Sequence, residues 1–369
     1  MIPVYKPYLP DDSLRYAHDA LRSQWIIWTG EYKDKARQML EGYLGSKHVL
    51  LLGNGTMACH LMSKCLRMRH PMVKRVIVPN NVYVAAWNGL LFDADANYTL
   101  VPIEPDINTW NMDTNLIGQQ LDEGTAVLVV HNIGNIINVP KLLARFPGLV
   151  TIEDNCEGFS GEYNGIKSGV SSLCSAISFC GNKTITCGEG VALITNDDEL
   201  YREMAIYHCQ GQTDETYVHD RVGYNYRMTN IQAAILVGQM HILQDIKNKK
   251  HEIFNLYRKL FSGIREVVLQ KDEIGTVNAE WLFGIRVLNS EGYHSAKKFY
   301  NEHGIDIRPM FYPITKHKHL SGIECRIENA SILSKECILL PSYPDLAEDD
   351  IVKVVDVTKK YINRSKTNA

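Results

Sequence analysis

No apolar run of about 18 residues, the length a helix needs to cross a bilayer, occurs in this 369-residue chain, so no membrane span is expected. The start, MIPVYKPYLPDD, lacks a basic segment leading into an apolar one, and no secretory signal is expected either. Cysteine is present nine times, an odd total scattered from Cys59 to Cys337 without a CxxC pair. That pattern argues against a disulfide framework and for reduced thiols in a cytoplasmic compartment. A strong charge imbalance is missing as well: a net charge of −3 gives no electrostatic reason to expect nucleic acid or an anionic membrane as partner. Internal repeats and low-complexity tracts are absent. What remains is ordinary globular composition, 45% hydrophobic and 22% charged, in a chain long enough for two domains and a large core.

From His48 onward, short β-branched runs alternate with helix-like stretches, which predicts an α/β fold with a mostly parallel central sheet flanked by helices. Strands are expected at 48–53, 73–79, 126–132, 149–154, 175–179 and 190–196, the last two forming an antiparallel pair across a turn-rich connection. Helices are expected after Asn54, near Ala85 to Leu91 and after TNDDEL, with one long buried helix over 228–246. Beyond Lys247 the chain carries more charge. The division predicted is a large α/β domain over 1–247 and a smaller C-terminal α/β domain over 248–369, with strands near Trp281 to Val287 and Ile305 to Phe311 and a closing helix.

In open α/β sheets ligands sit beyond the carboxyl ends of strands, so the polar residues after each strand are the first candidates. Gly53-Asn54-Gly55-Thr56 follows a strand and opens a helix, which aims free N–H groups at a phosphate; Asn-Gly is equally a common turn signal. Asp154 closes LVTIED. An acid there is often a helix cap, yet a buried carboxylate in that place can hold a pyridinium proton. The third segment is SFCGNKTITCGEGVALITN. Most lysines are solvated surface charges, but Lys183 lies in a tight, Gly-bounded connection between apolar strands, where a desolvated amine can add to an aldehyde.

Together, in this order, these segments resemble the fold-type-I pyridoxal-phosphate enzymes of the DegT/StrS sugar aminotransferase group, in the style of its perosamine and viosamine synthases. The similarity runs from WTGEYKDKARQMLEGYLG to RPMFYP and LLPSYPDL, and SFCGNKTITCGEG is its most specific part. Val191 departs from the group's pattern, which carries a second glycine there. The resemblance implies pyridoxal 5′-phosphate as cofactor, alternating with pyridoxamine phosphate. It makes Lys183 the lysine that holds the cofactor aldehyde, and Asp154 the partner of the pyridine nitrogen. Glu157 falls beside the phenolic oxygen, Gly55, Thr56, Met57 and Ser178 grip the phosphate, and Tyr83 stacks on the ring; without the match Tyr83 reads as a core tyrosine. Asn225 corresponds to an asparagine that reaches the neighbouring subunit's phosphate, so a homodimer with shared active sites is implied.

A sibling group carries histidine at the Lys183 position and dehydrates its sugar, so the lysine implies transamination. Glutamate is the expected donor and C4 of a nucleotide-linked 4-keto-6-deoxyhexose the acceptor, a UDP-linked (or dTDP-linked) glucose derivative being placed slightly ahead of a GDP-linked mannose derivative. Arg308, with its planar fork, is a candidate anchor for a diphosphate or carboxylate. Trp28, Trp110 and Trp281 are candidate stacking surfaces for sugar or base, although core packing explains each more simply. The KHKH run at 316–319 reads as a solvated loop, and no metal site is expected. Rival readings are a C3-specific sugar aminotransferase, a pyridoxal-phosphate enzyme of free amino acids, and a non-catalytic regulatory or carbohydrate-binding protein.

Overall fold

The computed structural model describes residues 1–93 and 96–367, with side chains described as far as Arg364. Seven strands make the central sheet: β1 (His48–Leu52), β2 (Arg75–Pro79), β3 (Thr99–Ile103), β4 (Thr125–Val130), β5 (Val150–Asp154), β6 (Ser175–Ser178) and β7 (Val191–Thr195). Their spatial order is β1-β7-β6-β5-β4-β2-β3. Only β7 runs against the rest, pairing antiparallel with β1 and β6, so the expected antiparallel pair is present. All six residues of β4, TAVLVV, are buried, as a parallel strand covered on both faces must be. The edge strand β3 was not anticipated: TLVPI is short, and its proline suits an edge.

This order fixes the site. Since β1, β5 and β6 run in the same sense, their carboxyl ends, Leu52, Asp154 and Ser178, come to one rim of the sheet. From that rim α1, the helix Gly55–Arg69, departs, its first turn capped by the Asn54 side chain, which accepts from the Met57 N–H at 3.2 Å.

The long helix expected over 228–246 is two helices, Asn230–His241 and Leu243–Phe261, broken at Ile242, whose ψ of 14° leaves the helical range. The first is apolar nearly all round and opens with a Thr229–Gln232 capping box; the second is amphipathic, which is why one periodicity did not describe both. The sequence division at Lys247 therefore falls inside a continuous helix. Ile253, Phe254, Tyr257 and Phe261 of that helix join a separate core with Phe283, Ile285, Tyr300 and Val354, and Ile2 from the amino terminus packs there too. That core lies against a four-stranded antiparallel sheet formed by β8 (Val267–Leu269), β9 (Phe283–Val287), β10 (Arg308–Pro309) and β11 (Cys337–Leu340), in the order β8-β9-β11-β10. Of the expected strand over 305–311, Arg308–Pro309 pairs with β11 and Ile305 makes an isolated parallel bridge to Ile2, while Pro309 has no N–H to extend the ladder.

Candidate active site

Lys183 sits in the connection between β6 and β7, which closes on itself. Phe179 N–H donates to the Gly190 carbonyl at 2.8 Å, Cys187 N–H to Phe179 at 3.0 Å, and Lys183 N–H to Cys180 at 2.9 Å. Gly188 has φ +86°, a conformation that side chains resist, and a Cβ on Gly190 would stand 2.5 Å from the Cys187 sulfur. The glycines are thus required to hold the lysine in a tight loop. Val191, where the resemblance leads one to expect glycine, begins β7 and is fully buried, leaving the loop unaffected.

The lysine amine is neither in open solvent nor in a closed ion pair. Its Nζ stands 3.6 Å from Glu157 Oε1 and 4.0 Å from the centroid of the Trp281 ring. Glu157 in turn accepts the Ile133 N–H at 2.9 Å. Ile133 is held at φ 59°, a region costly for a β-branched residue and typical of places where function over-determines the backbone. Asp154 is 7% exposed; its Oδ1 accepts the Cys156 N–H at 3.1 Å, while among the described residues Oδ2 has only the Cys59 thiol, 4.0 Å away. That is too long to satisfy a carboxylate oxygen, so Asp154 is a buried acceptor with capacity to spare.

Electrostatics ties these groups into one site. Burial pushes the Glu157 carboxyl up to about 7, against the pull of Lys183 and of the Ile133 N–H, and the Asp154 charge adds to the rise. The buried Cys59 thiol is pushed well up, first by burial and then by Asp154, with Lys183 acting the other way. A carboxyl that keeps its proton near neutrality can donate as well as accept.

The sign of the Glu157 effect on stability follows. Below its ordinary value of 4.5 the carboxyl is protonated whether the chain is folded or not. As pH rises towards 7 the unfolded chain releases a proton that the folded one retains, so stability falls, and above that it levels off. Glu157→Gln removes this loss. In urea unfolding of the cofactor-free protein, the variant is expected to gain on the order of 3 kcal/mol over the parent between about pH 4.5 and 8. A difference between the two proteins that does not change with pH would contradict it.

The remaining expected residues are distributed as follows. Gly55 opens α1, and its Cβ position lies 3.9 Å from both the Ser178 hydroxyl and the Cys156 sulfur, so the helix start abuts Ser178. Thr56 is exposed beside it. The first turn of a helix leaves N–H groups without intrahelical partners, an anion site in waiting. Tyr83 is not a core tyrosine: it is 61% exposed, 6.2 Å from Phe311. Asn225 is exposed, and its Oδ1 accepts two bonds from Arg227, at 2.9 and 2.8 Å. The Arg227 guanidinium lies 4.3 Å from the Trp28 ring. This segment runs beside the end of β1, Gly53 N–H donating to the Tyr226 carbonyl at 2.9 Å.

Two of the three tryptophans offered as stacking surfaces are core residues, the simpler of the two readings, and Trp281 is corrected as a substrate contact. Trp281, a candidate substrate-stacking surface, is only 4% exposed; its indole N–H donates to the Asn182 carbonyl at 2.6 Å and its face carries the Lys183 ammonium. It supports the lysine and has no free face for a sugar. Trp110 is fully buried in a core cluster. Arg308 is exposed on β10, and no side-chain contact among the described residues ties it to the Lys183 group. His319 bonds Asn88 at 2.8 Å and His317 packs on Trp87, and no cluster suited to a metal ion exists among the described residues.

Arg227 and Lys250 were missed by sequence reasoning. The first sits two positions after Asn225 in the same motif. The second occupies a position spaced with the buried Ile246, Ile253 and Tyr257 on one helix face, a signal that a lysine is buried.

Residues 7–359 match the DegT/DnrJ/EryC1/StrS aminotransferase family. The chain is 31% identical to the GDP-perosamine synthase of Escherichia coli O157:H7, over 98% of both chains. It is 29% identical to the dTDP-3-amino-3,6-dideoxy-alpha-D-galactopyranose transaminase of Aneurinibacillus thermoaerophilus, covering 92% of this chain and 93% of that one. In fold it is similar to Helicobacter pylori PseC, an aminotransferase involved in the biosynthesis of pseudoaminic acid, with a TM-score of 0.88 and 21% identity, over 98% of this chain and 99% of that one.

Proposed function

The chain belongs to the DegT/DnrJ/EryC1/StrS aminotransferase family, and from there we propose that it moves an amino group from glutamate to C4 of a nucleotide-linked 4-keto-6-deoxyhexose. It is a pyridoxal-phosphate-dependent sugar-nucleotide aminotransferase. The observation that carries the reading is the convergence of Lys183, Glu157 and Asp154 at the rim where β1, β5 and β6 end.

These residues fit the cofactor by their own chemistry: an amine in a desolvated loop, a buried carboxylate oxygen short of a donor, and a helix start abutting a serine hydroxyl. When bound, pyridoxal phosphate supplies an aldehyde that captures amines and an aromatic ring that withdraws electrons from the carbon losing a proton. Lys183 Nζ would hold the cofactor's aldehyde carbon. The same amine would carry a proton from the glutamate α-carbon to that carbon and, in the second half-reaction, from it to the sugar carbon. Asp154 Oδ2 would hold the proton on the ring nitrogen, and Glu157, able to keep a proton near neutral pH, would bond the phenolic oxygen. Gly55, Thr56, Met57 and Ser178 would bind the phosphate, the Asn54 side chain capping the Met57 N–H of the same helix start. Tyr83, exposed at the entry to its helix, would cover the ring. Arg308 is assigned to an anionic end of a substrate through its fork alone.

The active site is completed in a homodimer. The run Trp25-Ile26-Ile27-Trp28 is 38 to 58% exposed, an unusual cost for four large apolar side chains in sequence. It is fastened to the segment carrying Asn225 and Arg227 by hydrogen bonds from Asn230 to the Trp25 and Ile27 carbonyls, at 2.7 and 2.6 Å. A partner covering that run receives Asn225 at its own phosphate site.

The relative named GDP-perosamine synthase supports a GDP-linked mannose derivative over the UDP- or dTDP-linked glucose derivative placed first from sequence. Amination at C3 stays as a second reading, on the name of the dTDP-3-amino sugar transaminase. The test loads the protein with pyridoxamine phosphate and offers GDP-, UDP- and dTDP-linked 4-keto and 3-keto sugars, watching the cofactor's visible band return and locating nitrogen in the product by NMR. The GDP-linked 4-keto sugar is expected to react fastest, with nitrogen on C4. Discharge by no keto sugar would sink the reading, and full activity in a monomeric fraction would sink the shared site.

A further inference from the structure

Behind the Lys183 loop lies a second lysine that the mechanism does not use. Lys250 is 1% exposed, and among the described residues no carboxylate comes within ion-pair distance of it. Its Nζ donates to the Trp281 carbonyl at 2.8 Å and to the Ser342 carbonyl, and stands 5.5 Å from the Tyr5 ring. The amine thus meets two carbonyls and two aromatic rings, the second being Phe254 at 5.7 Å. Burial pushes this amine down to about 7, with Glu280 acting weakly against the fall.

Burying an unpaired lysine is expensive, and an uncharged donor would serve two carbonyls at lower cost. What distinguishes this one is where its partners lead. Trp281 puts its ring face under Lys183 Nζ at 4.0 Å and gives its indole N–H to the Asn182 carbonyl. Tyr5 gives its hydroxyl to the Lys183 carbonyl at 2.5 Å. Lys250 thus bonds the Trp281 backbone and lies over the Tyr5 ring, the two residues that brace 182 and 183 from behind.

We infer that Lys250 is a positioning residue for the amine of Lys183: by fixing the Trp281 backbone and the Tyr5 ring, it sets where the Lys183 ammonium stands relative to Glu157. The inference rests on Lys183 being the cofactor lysine. That assignment fails separately, if Lys183→Ala keeps turnover, whereas the role of Lys250 is read from a protein whose Lys183 is intact.

Lys250→Met keeps most of the volume and deletes the donor; Lys250→Arg keeps a cation with donors. Each is compared with the parent for kcat and KM of both substrates, the pH at which the cofactor's visible band titrates, and the fraction of Lys183 trapped on the cofactor by borohydride, read by mass spectrometry. Lys250→Met is expected to lower kcat by about tenfold or more with KM within about twofold, since a small misplacement of a reacting group costs rate before it costs binding. It is also expected to shift the titration of the band and reduce trapping, with Lys250→Arg recovering part of each. A folded Lys250→Met protein with unchanged band and kcat, or one that melts earlier while its folded fraction matches the parent in both, overturns the inference. Should Lys250→Met not fold, Tyr5→Phe decides: removing one hydroxyl from the Lys183 carbonyl is expected to move the band and trapping the same way, and no movement overturns it.

Discussion

Lys183→Ala is expected to lower kcat by roughly 10⁴-fold while leaving the fold and phosphate binding in place. The size follows from the two duties proposed for its Nζ. With that amine 3.6 Å from Glu157 and 4.0 Å from the Trp281 ring centroid, the proposed mechanism has it anchor the cofactor and carry the proton in both half-reactions. Glu157 is no substitute, because near neutrality it is half protonated and already accepts the Ile133 N–H. The variant should still take up pyridoxal phosphate, but without the visible band of the lysine-bound form, and borohydride should trap none on the protein. A glutamate-driven half-reaction at near-parent rate in Lys183→Ala would refute the role.

Asp154→Asn should cost roughly 10²- to 10³-fold in kcat, or about 3 to 4 kcal/mol of barrier, with smaller changes in KM. The amide has nearly the carboxylate's shape, and the Cys156 N–H can still be accepted by its oxygen, so folding should survive. On the proposed mechanism the substitution would remove the negative charge that keeps a proton on the ring nitrogen, and with it the electron withdrawal on which proton removal depends. The effect should appear mainly in the step that breaks the α-carbon–hydrogen bond, as an enlarged primary isotope effect with α-deuterated glutamate. Parent-like kcat with an unchanged isotope effect would show that Asp154 only fills space.

The sheet was legible because strands such as TAVLVV and LVTIED are apolar, β-branched and of strand length wherever they are buried on both faces. Where local signals conflict, reading failed: β3 contains proline and only partly buried positions, and the apolar helix Asn230–His241 runs into an amphipathic one with only Ile242 between them. The motif residues were legible only together. An acid closing a strand is often a helix cap and Asn-Gly a common turn, and it is the order of these segments along the chain that carries the family resemblance.

The partners of those residues were not legible in the same way. Trp281 lies 99 positions from the Asn182 carbonyl it bonds, and Tyr5 is 178 positions from the Lys183 carbonyl. Nothing in the periodicity around Trp281 or Lys250 says which loop they support. Propensity and burial pattern, which act over neighbouring residues, made the buried strands readable from the chain, and the order of the motif segments carried the resemblance. The meeting of the rims of β1, β5 and β6, the turn of Trp281 towards the lysine, and the burial that lifts the Glu157 carboxyl to about 7 appear in the fold alone, because each depends on surfaces brought together from distant parts of the chain.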